Sequence, residues 1–157
     1  MLGGIINIEH HLAHLSSCFH VSPFEEACVV SVDGFGDFAS SAWGYGKNND
    51  IKIDKKIHFP HSLGIFYQSI TQFLGFKNYG DEYKIMGLAP YGKPEYLDKL
   101  KKILILKSNG EFELNLKYFK FHKSNFNYTW NSGTVSIGDL YSNEMEVLLG
   151  KSRAKDE

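Results

Sequence analysis

Histidine side chains are concentrated near the start of the chain, where residues 9–14 read Glu-His-His-Leu-Ala-His. In a helix, residues four positions apart lie on the same face, so His10 and His14 would present two imidazoles side by side. Two neutral imidazoles in this arrangement can bind one metal ion. Asp33 follows an apolar segment of strand length and would add a carboxylate oxygen to such a site.

Both features also have structural interpretations. A polar helix face with several histidines is more often a solvated surface, and a His-x-x-x-His pair by itself is a weak motif. Residues 33–37, Asp-Gly-Phe-Gly-Asp, predict a tight turn in which glycine supplies a positive φ and aspartate hydrogen-bonds the backbone. The local pattern therefore leaves both a functional and a structural turn open.

Two elements would position these side chains. Residues 8–19 predict a helix that ends before a Ser-Pro pair, with an aliphatic and aromatic stripe on the side opposite the imidazoles. Residues 27–32 are almost continuously apolar, which predicts a central strand buried on both faces. Packing the aliphatic stripe into a core would turn the imidazoles toward a cleft.

The next segments complete a recognisable order of elements. Residues 38–45 and 51–58 predict two more antiparallel strands, and residues 63–74 predict an amphipathic helix that Gly75 ends. We therefore predict an α/β (α+β, mixed-sheet) fold, a partial ribonuclease-H-like, actin-like ATPase half-domain. Its β-β-β-α core would span about residues 27–76. In that architecture the first hairpin turn faces nucleotide phosphates, because its backbone N–H groups can approach an anion.

The second half of the chain has a less regular pattern. Residues 79–92 predict a loop rich in glycine and charge, suited either to ligand binding or to a well-packed connection. Residues 94–103 predict a helix, residues 107–110 a hairpin turn and residues 111–116 the returning strand. Residues 118–137 show no firm period and predict irregular structure, followed by a helix over 142–149.

Composition limits the class of protein. A chain of 157 residues with 43% hydrophobic residues can form one domain with a proper core. The net charge of −1, without a basic run, gives no reason to expect nucleic acid, and no apolar stretch approaches a membrane span. Cys18 and Cys28 lack metal-binding spacing and predict small buried side chains in a reducing compartment, which favours the cytoplasm. The polar tail at 151–157 fits either a piece of a longer chain or a frayed end.

Several stretches give this chain a resemblance to a known family. The matching segments are Glu-His-His-Leu-Ala-His at 9–14, Ser-Pro-Phe at 22–24, Val-Asp-Gly-Phe-Gly-Asp at 32–37, Ser-Leu-Gly-Ile-Phe-Tyr at 62–67 and Glu-Tyr-Lys-Ile-Met-Gly-Leu-Ala-Pro-Tyr-Gly at 82–92. In these segments the chain resembles the amino-terminal, Kae1-like part of the NodU/CmcH/TobZ carbamoyltransferases. The resemblance runs from about residue 8 to residue 119 and more faintly to the end.

The resemblance implies an O-carbamoyltransferase that uses carbamoyl phosphate, ATP and a hydroxyl-bearing small-molecule acceptor. A YrdC-like domain would make carbamoyl-adenylate, and the Kae1-like domain would pass the carbamoyl group to the acceptor. It further implies a divalent metal of the iron type, held by His10, His14 and Asp33 together with a further acidic ligand that the family pattern places after residue 157. His10 and His14, which the helix spacing pairs, and Asp33, which follows the apolar segment, are thus also the ligands that the resemblance implies.

Other residues are expected to bind the reactants. Lys84 and the glycines Gly34, Gly36 and Gly87 are the candidates for holding the phosphate of the adenylate. An imidazole that does not bind the metal, His11, is the candidate to accept the hydroxyl proton, because an ordinary histidine pKa suits neutral pH. Support of the metal ligands is the alternative role for His11.

Parts of the family pattern lie outside this sequence, namely a β-rich segment before the histidine helix, the rest of the second half-domain and the YrdC-like domain. We therefore expect residues 1–157 to be an incomplete Kae1-like domain that is inactive by itself and binds metal weakly, if at all. It would be either an incomplete reading frame or one piece of a split protein, with a separately encoded YrdC-like domain as partner in the second case. One alternative is a tRNA threonylcarbamoyl-type transferase of the same fold, against which the segments at 62–67 and 82–92 argue. The other is a non-catalytic metal- or nucleotide-binding remnant of a truncated gene.

Overall fold

The computed structural model of the chain describes residues 4–123, 128–131 and 134–154. The chain divides into two compact units, an amino-terminal unit that ends at Gly64 and a carboxy-terminal unit that begins at Ile65. Within the described ranges, no helix combines the length and the apolarity needed to cross a membrane.

The amino-terminal unit is a helix followed by a three-stranded meander. Its three strands pair antiparallel in chain order, so the second strand is the central one. A second helix begins at the end of this unit, which confirms the predicted β-β-β-α order and an α/β fold. The elements are α1 (His10–Phe19), β1 (Glu26–Gly36), β2 (Ala39–Lys47), β3 (Asp50–His58) and α2 (Leu63–Phe73).

Helix α1 packs on one face of this sheet. Leu15 and Phe19 project from the helix onto Val29 of β1 and are all but excluded from solvent. A β-carbon on Gly46 would lie 2.8 Å from the ring of Phe19, so a glycine in β2 allows the close approach of the helix. The predicted apolar stripe of α1 is therefore the side that meets the sheet, although Ile8 lies before the helix and is exposed.

Strand β1 differs from the prediction of a strand buried on both faces. It lies at the edge of the described sheet, and its side chains alternate between the helix side and solvent. Val30 and Val32 are 62% and 55% exposed, and Cys28 on the same face is also exposed. The predicted burial of Cys28 is thus wrong, because successive residues of a strand point to opposite faces and α1 covers only one of them. The predicted burial of Cys18 is also wrong, because its side chain is exposed on α1.

The predicted turn at residues 33–37 also lies elsewhere. Strand β1 continues to Gly36, which pairs with Ala39, and only Asp37 and Phe38 form the turn. Their φ angles of 50° and 64° are typical of a two-residue type I′ hairpin. The pairing register shifts between Val32 and Gly36, so Asp33 lies in an irregular part of the strand.

The carboxy-terminal unit consists of short elements around the remainder of α2. Two antiparallel hairpins, β4–β5 and β6–β7, form separate two-stranded sheets. The elements are α3 (Glu82–Leu88), a 3₁₀ turn (Ala89–Tyr91), α4 (Leu97–Leu100), β4 (Leu104–Leu106), β5 (Phe112–Leu114), a 3₁₀ turn (Leu116–Tyr118), β6 (Tyr128–Asn131), β7 (Thr134–Ile137) and α5 (Asn143–Leu149).

A buried glutamine of α2 organises the interior of this unit. The Gln72 amide nitrogen donates to the carbonyl oxygens of Ile137 and Gly138, at 3.4 and 3.3 Å. Its own carbonyl oxygen accepts a hydrogen bond of 2.9 Å from the backbone of Leu140. Around these polar bonds lie the buried hydrophobic side chains of Phe73, Ile103, Phe112, Leu114, Tyr118, Phe119, Phe121, Ile137, Leu140, Met145 and Leu149.

Three predictions for this unit need correction, and others are confirmed. The expected loop at 79–92 contains α3, the expected helix at 94–103 is only the single turn α4, and the expected irregular segment at 118–137 contains the β6–β7 hairpin. Positions 124–127 and 132–133 of that segment lie outside the described residues. The β4–β5 hairpin, α5 and the end of α2 at Gly75, with a φ of 89°, agree with the predictions.

Candidate metal centre

The start of α1 is held by a carboxylate just before the helix. Glu9 is the N-cap residue, and its Oε2 accepts a hydrogen bond of 2.7 Å from the backbone of Leu12. Its Oε1 lies 2.9 Å from Nζ of Lys56 on β3. Burial by itself would raise the pKa of Glu9, but Lys56 and the helix N–H groups outweigh it and lower the pKa to about 2. Glu9 therefore ties α1 to the far strand of the sheet.

A second carboxylate binds the same helix end from the β1–β2 turn. The backbone N–H of His10 donates to Oδ2 of Asp37 at 2.9 Å. This N–H belongs to the first turn, where no helical carbonyl is available to accept it. Asp37 therefore has two roles. Its left-handed backbone forms the β1–β2 turn, and its carboxylate caps the start of α1.

The second histidine of the motif faces the interior. The side chain of His11 is fully buried, and its Nδ1 lies 3.0 Å from Oγ of Ser31 on β1. Its Nε2 has no hydrogen-bond partner among the described residues. Ser31 and Asp33 are two positions apart on β1 and share one face of the strand. The His11–Ser31 bond therefore sets which part of α1 lies opposite Asp33.

Three potential ligand atoms converge where α1 meets the end of β1. Nε2 of His10 lies 2.7 Å from Oδ2 of Asp33, and Nε2 of His14 lies 3.3 Å from the same oxygen. The two Nε2 atoms are 3.0 Å apart. Within the described ranges these three side chains form a group able to hold a metal ion. The structure therefore brings together the three side chains that the sequence predicted to converge on one cation, and metal binding by them stays a prediction.

The spacing of these atoms fits a common cation. Ligands at about 2.1 Å from a metal, separated by right angles, lie about 3.0 Å from one another. The observed separations of 2.7, 3.0 and 3.3 Å surround that value. The hydrogen bond from His10 lowers the pKa of Asp33 against the opposing effect of burial, and the N–H of Gly34 and the imidazole of His14 lower it further. Asp33 is therefore available as a carboxylate at neutral pH.

Two glycines and a serine pack next to His10 and Asp33. A β-carbon on Gly36 would lie 2.0 Å from Cδ2 of His10, so only glycine leaves room for the imidazole. A β-carbon on Gly64 would lie 2.7 Å from the carbonyl oxygen of Asp33. The hydroxyl of Ser62 donates to the backbone carbonyls of Asp33 and Gly34, at 3.1 and 2.7 Å. Ser62 and Gly64 thus support the backbone at Asp33.

The remaining predicted site residues have other surroundings. Gly34 donates its N–H to Oδ1 of Asp33 at 2.6 Å, which leaves Oδ2 for the histidines. Lys84 belongs to the carboxy-terminal unit, where its Nζ lies 2.6 Å from Oδ1 of Asp81. Gly87 lies in the last turn of α3, so its backbone is helical instead of forming a phosphate-binding loop. The segment expected to form a loop is therefore helical over Glu82–Leu88, and phosphate binding by Lys84, Gly34, Gly36 and Gly87 stays a prediction.

The expectation of His11 as the proton acceptor also needs revision. A general base must reach the proton that it removes, directly or through a water molecule. In this structure His11 has no exposed surface, and its Nδ1 is already paired with Ser31. The alternative role, support of the metal ligands, agrees with this position.

Sequence reasoning did not identify Glu9, Ser31, Asp37 and Lys56 as part of the site. Glu9 carried a detectable signal, because an acidic residue directly before a predicted helix is a candidate N-terminal cap. The other three act through partners that are distant in the chain, and no local pattern indicates such pairs.

Comparison with known proteins gives a family match over nearly the whole chain. Residues 2–157 match the family model described as "Carbamoyltransferase N-terminus". A protein of Synechocystis, sll1178, is 47% identical over 114 residues, which are 72% of this chain and 18% of that protein.

Two further relatives come from nodulating bacteria. "Nodulation protein NolNO" of Sinorhizobium fredii is 37% identical over 110 residues, which are 69% of this chain and 16% of the relative. "Nodulation protein NolO" of Bradyrhizobium diazoefficiens is 38% identical over 112 residues, which are 69% of this chain and 20% of the relative. The matched part of the chain therefore spans about a fifth of the length of these curated relatives.

Proposed function

The chain belongs to the carbamoyltransferase family, whose amino-terminal model it matches over residues 2–157, and from this we propose that it forms part of an O-carbamoyltransferase. The proposed reaction transfers a carbamoyl group from carbamoyl phosphate to a hydroxyl of a small-molecule acceptor. On a YrdC-like domain outside this chain, carbamoyl phosphate, water and ATP give carbamoyl-adenylate, phosphate and pyrophosphate, and the acceptor hydroxyl then displaces AMP from the adenylate. The matched residues cover only 18%, 16% and 20% of these relatives, so the relatives have room for further domains.

The observation that carries this proposal is the convergence of His10, His14 and Asp33. Their three ligand atoms lie within 3.3 Å of one another, on two elements that are tied together by buried and capping hydrogen bonds. The three side chains are 36%, 51% and 37% exposed, so a bound ion would keep an open side toward a substrate. The donor set of two imidazoles and one carboxylate suits a divalent metal such as iron or zinc.

A metal in this position supplies Lewis-acid polarisation of an oxygen atom of the reactants. The chain's own residues determine where that chemistry takes place. Asp33 contributes the negative charge, and Gly34 directs the carboxylate by occupying its Oδ1. Gly36 admits the imidazole of His10 close to the strand.

The role proposed for His11 is to position the helix. Its hydrogen bond to Ser31 is buried and links the two elements that supply the ligands. A buried hydrogen bond of this kind resists sliding or rotation of α1 over β1, because breaking it leaves a polar atom without a partner. The orientation of both flanking histidines depends on that registry.

Metal binding by this chain is the direct test. Isothermal titration with Fe(II) under anaerobic conditions, and with Zn(II), should show one ion per chain. His10→Ala, His14→Ala and Asp33→Asn should each weaken binding at least about tenfold, because each removes one ligand. The matched control is His20→Ala, which removes an exposed histidine at the end of α1. This variant should bind the metal with the affinity of the unaltered chain. Equal affinity in all four variants would contradict the site.

The transfer reaction requires a second experiment in a complete relative. Replacing the residue equivalent to His14 by Ala should abolish carbamoylation of a hydroxyl acceptor. Formation of carbamoyl-adenylate from ATP and carbamoyl phosphate should continue, because that step is assigned to another domain. Retention of full acceptor carbamoylation would overturn the assigned role of the metal centre.

A further inference from the structure

The carboxy-terminal unit contains a cavity of about 310 Å³ between the end of α2 and the start of α3. Phe76 lines it from the segment after α2, Lys84 lines it from α3, and Arg153 lines it from the segment after α5. We call it the Phe76 cavity. Its volume is at the lower end of the range for small-molecule sites, which begins at about 300 Å³.

Two cations lie over one aromatic ring in this cavity. Nζ of Lys84 and Cζ of Arg153 are each 5.7 Å from the centroid of the Phe76 ring. The ring replaces part of the water around both groups, and a cation beside an apolar surface attracts an anion more strongly than a fully hydrated one. Arg153 is the only arginine in the chain.

The carboxylate in the cavity balances only one of these charges. Asp81 is 7% exposed, and it pairs with Lys84 at 2.6 Å while it accepts the backbone N–H of Asn78 at 3.1 Å. The bond to Asp81 raises the pKa of Lys84, so the ammonium stays charged. Among the described residues Arg153 makes no ion pair with a carboxylate. Cationic side chains therefore outnumber carboxylates among the described residues that line the cavity.

Hydrogen bonds hold the backbone around Arg153 in place. Its N–H donates to the carbonyl oxygen of Phe73 at 3.0 Å. The preceding residue, Ser152, donates from its backbone at 3.1 Å and from its hydroxyl at 2.5 Å to Glu146 on α5. A guanidinium on an anchored backbone loses less conformational entropy when it binds an anion.

We propose that the Phe76 cavity binds a phosphate group of a small molecule. The planar guanidinium of Arg153 presents paired N–H donors to two phosphate oxygens, and Lys84 supplies a second positive charge. This inference rests on the proposed function to the extent that both carbamoyl phosphate and ATP carry phosphate. It does not depend on the metal centre, because phosphate binding here is measured on metal-free protein.

Titration of the metal-free chain tests the proposal and separates the sources of phosphate. Inorganic phosphate, carbamoyl phosphate and AMP are titrated in parallel by isothermal calorimetry. Arg153→Ala and Lys84→Ala should each lower the affinity for the tightest-binding of the three ligands at least about tenfold. The affinity of Arg153→Lys should lie between that of Arg153→Ala and that of the unaltered chain. Lys151→Ala is the matched control, an exposed cation in the same segment, and should change affinity less than about twofold. Equal effects of Arg153→Ala and Lys151→Ala would overturn the proposal.

A chemical measurement avoids dependence on the stability of variants. Phenylglyoxal modifies arginine, and a single arginine gives a single adduct that intact-mass spectrometry can follow. The bound phosphate ligand should slow modification at least about fivefold, and Lys84→Met should remove most of that protection. Unchanged modification rates with saturating concentrations of all three ligands would contradict the site. Metal binding that persists beside such a failure would leave the proposed function intact and remove only this cavity from it.

Discussion

Gly36 and His10 occupy one narrow space, in which a β-carbon on residue 36 would lie 2.0 Å from the imidazole Cδ2. The sequence suggested a phosphate-binding role for this glycine. The structure shows a different physical requirement, because any side chain would push the imidazole of His10 away from Asp33. The hairpin and the helix thus contact each other at the position that sets the ligand geometry.

Gly36→Ala should therefore weaken metal binding without abolishing the fold. We expect at least about a tenfold loss of Fe(II) or Zn(II) affinity, because His10 must rotate away from its 2.7 Å contact with Asp33. Gly34→Ala is the matched control, since a β-carbon there meets nothing within 4 Å. Calorimetric titration of both variants checks this, and a greater loss in Gly34→Ala than in Gly36→Ala would contradict it.

Ser31→Ala should reduce both stability and metal binding. Removing the hydroxyl leaves Nδ1 of the buried His11 without a partner, which costs about 1–3 kcal/mol of unfolding free energy. Because the same bond sets the registry of α1, the visible spectrum of the Co(II)-loaded chain should change as well.

Val29→Ala distinguishes positioning from general destabilisation. This variant opens the same core, where Val29 is 5% exposed, without removing the His11 bond. When urea unfolding shows that Val29→Ala and Ser31→Ala have lost similar stability, we expect Val29→Ala to keep the Co(II) spectrum and the metal affinity of the unaltered chain. A spectrum altered equally in both variants would assign His11 a structural role only.

Glu9 should make the stability of the chain depend on pH. The pKa of about 2 in the folded chain lies below the ordinary value of 4.5, so the ionised carboxylate favours the folded state. This contribution is fully present above about pH 4.5 and is lost as the pH falls toward 2. Glu9→Gln should thus destabilise the chain at pH 7 and much less at pH 3, as urea midpoints would show. Glu95→Gln, at an exposed position, is the matched control.

Two glycines of the segment at 79–92 should respond oppositely to alanine. Gly87 lies in α3 with open space around it, so Gly87→Ala should stabilise the chain by about 0.5–1 kcal/mol. Gly80 has a φ of 88°, so Gly80→Ala should destabilise it by about 1–2 kcal/mol. Thermal and urea unfolding measure both, and destabilisation by Gly87→Ala would indicate a loop in place of α3.

Short-range patterns in the sequence were enough to predict the histidine helix, the three-stranded meander and the helix after it. They also predicted that His10 and His14 share a face, because the helical period is a property of the backbone alone. Asp33 was predicted as the third ligand from its position after an apolar strand, and the family resemblance agreed. These predictions needed no knowledge of which elements touch.

The tertiary structure decided the rest, because the deciding forces act between residues distant in the chain. The capping of His10 by Asp37 joins residues 27 positions apart, and the bond between His11 and Ser31 joins residues 20 positions apart. Such pairs determine that His11 is buried and that the hairpin turns at Asp37 instead of Asp33. Packing of α1 on only one face of the sheet likewise exposes Val30, which its apolar neighbours had suggested would be buried. Local composition cannot report burial or partners that arise only when separate elements meet.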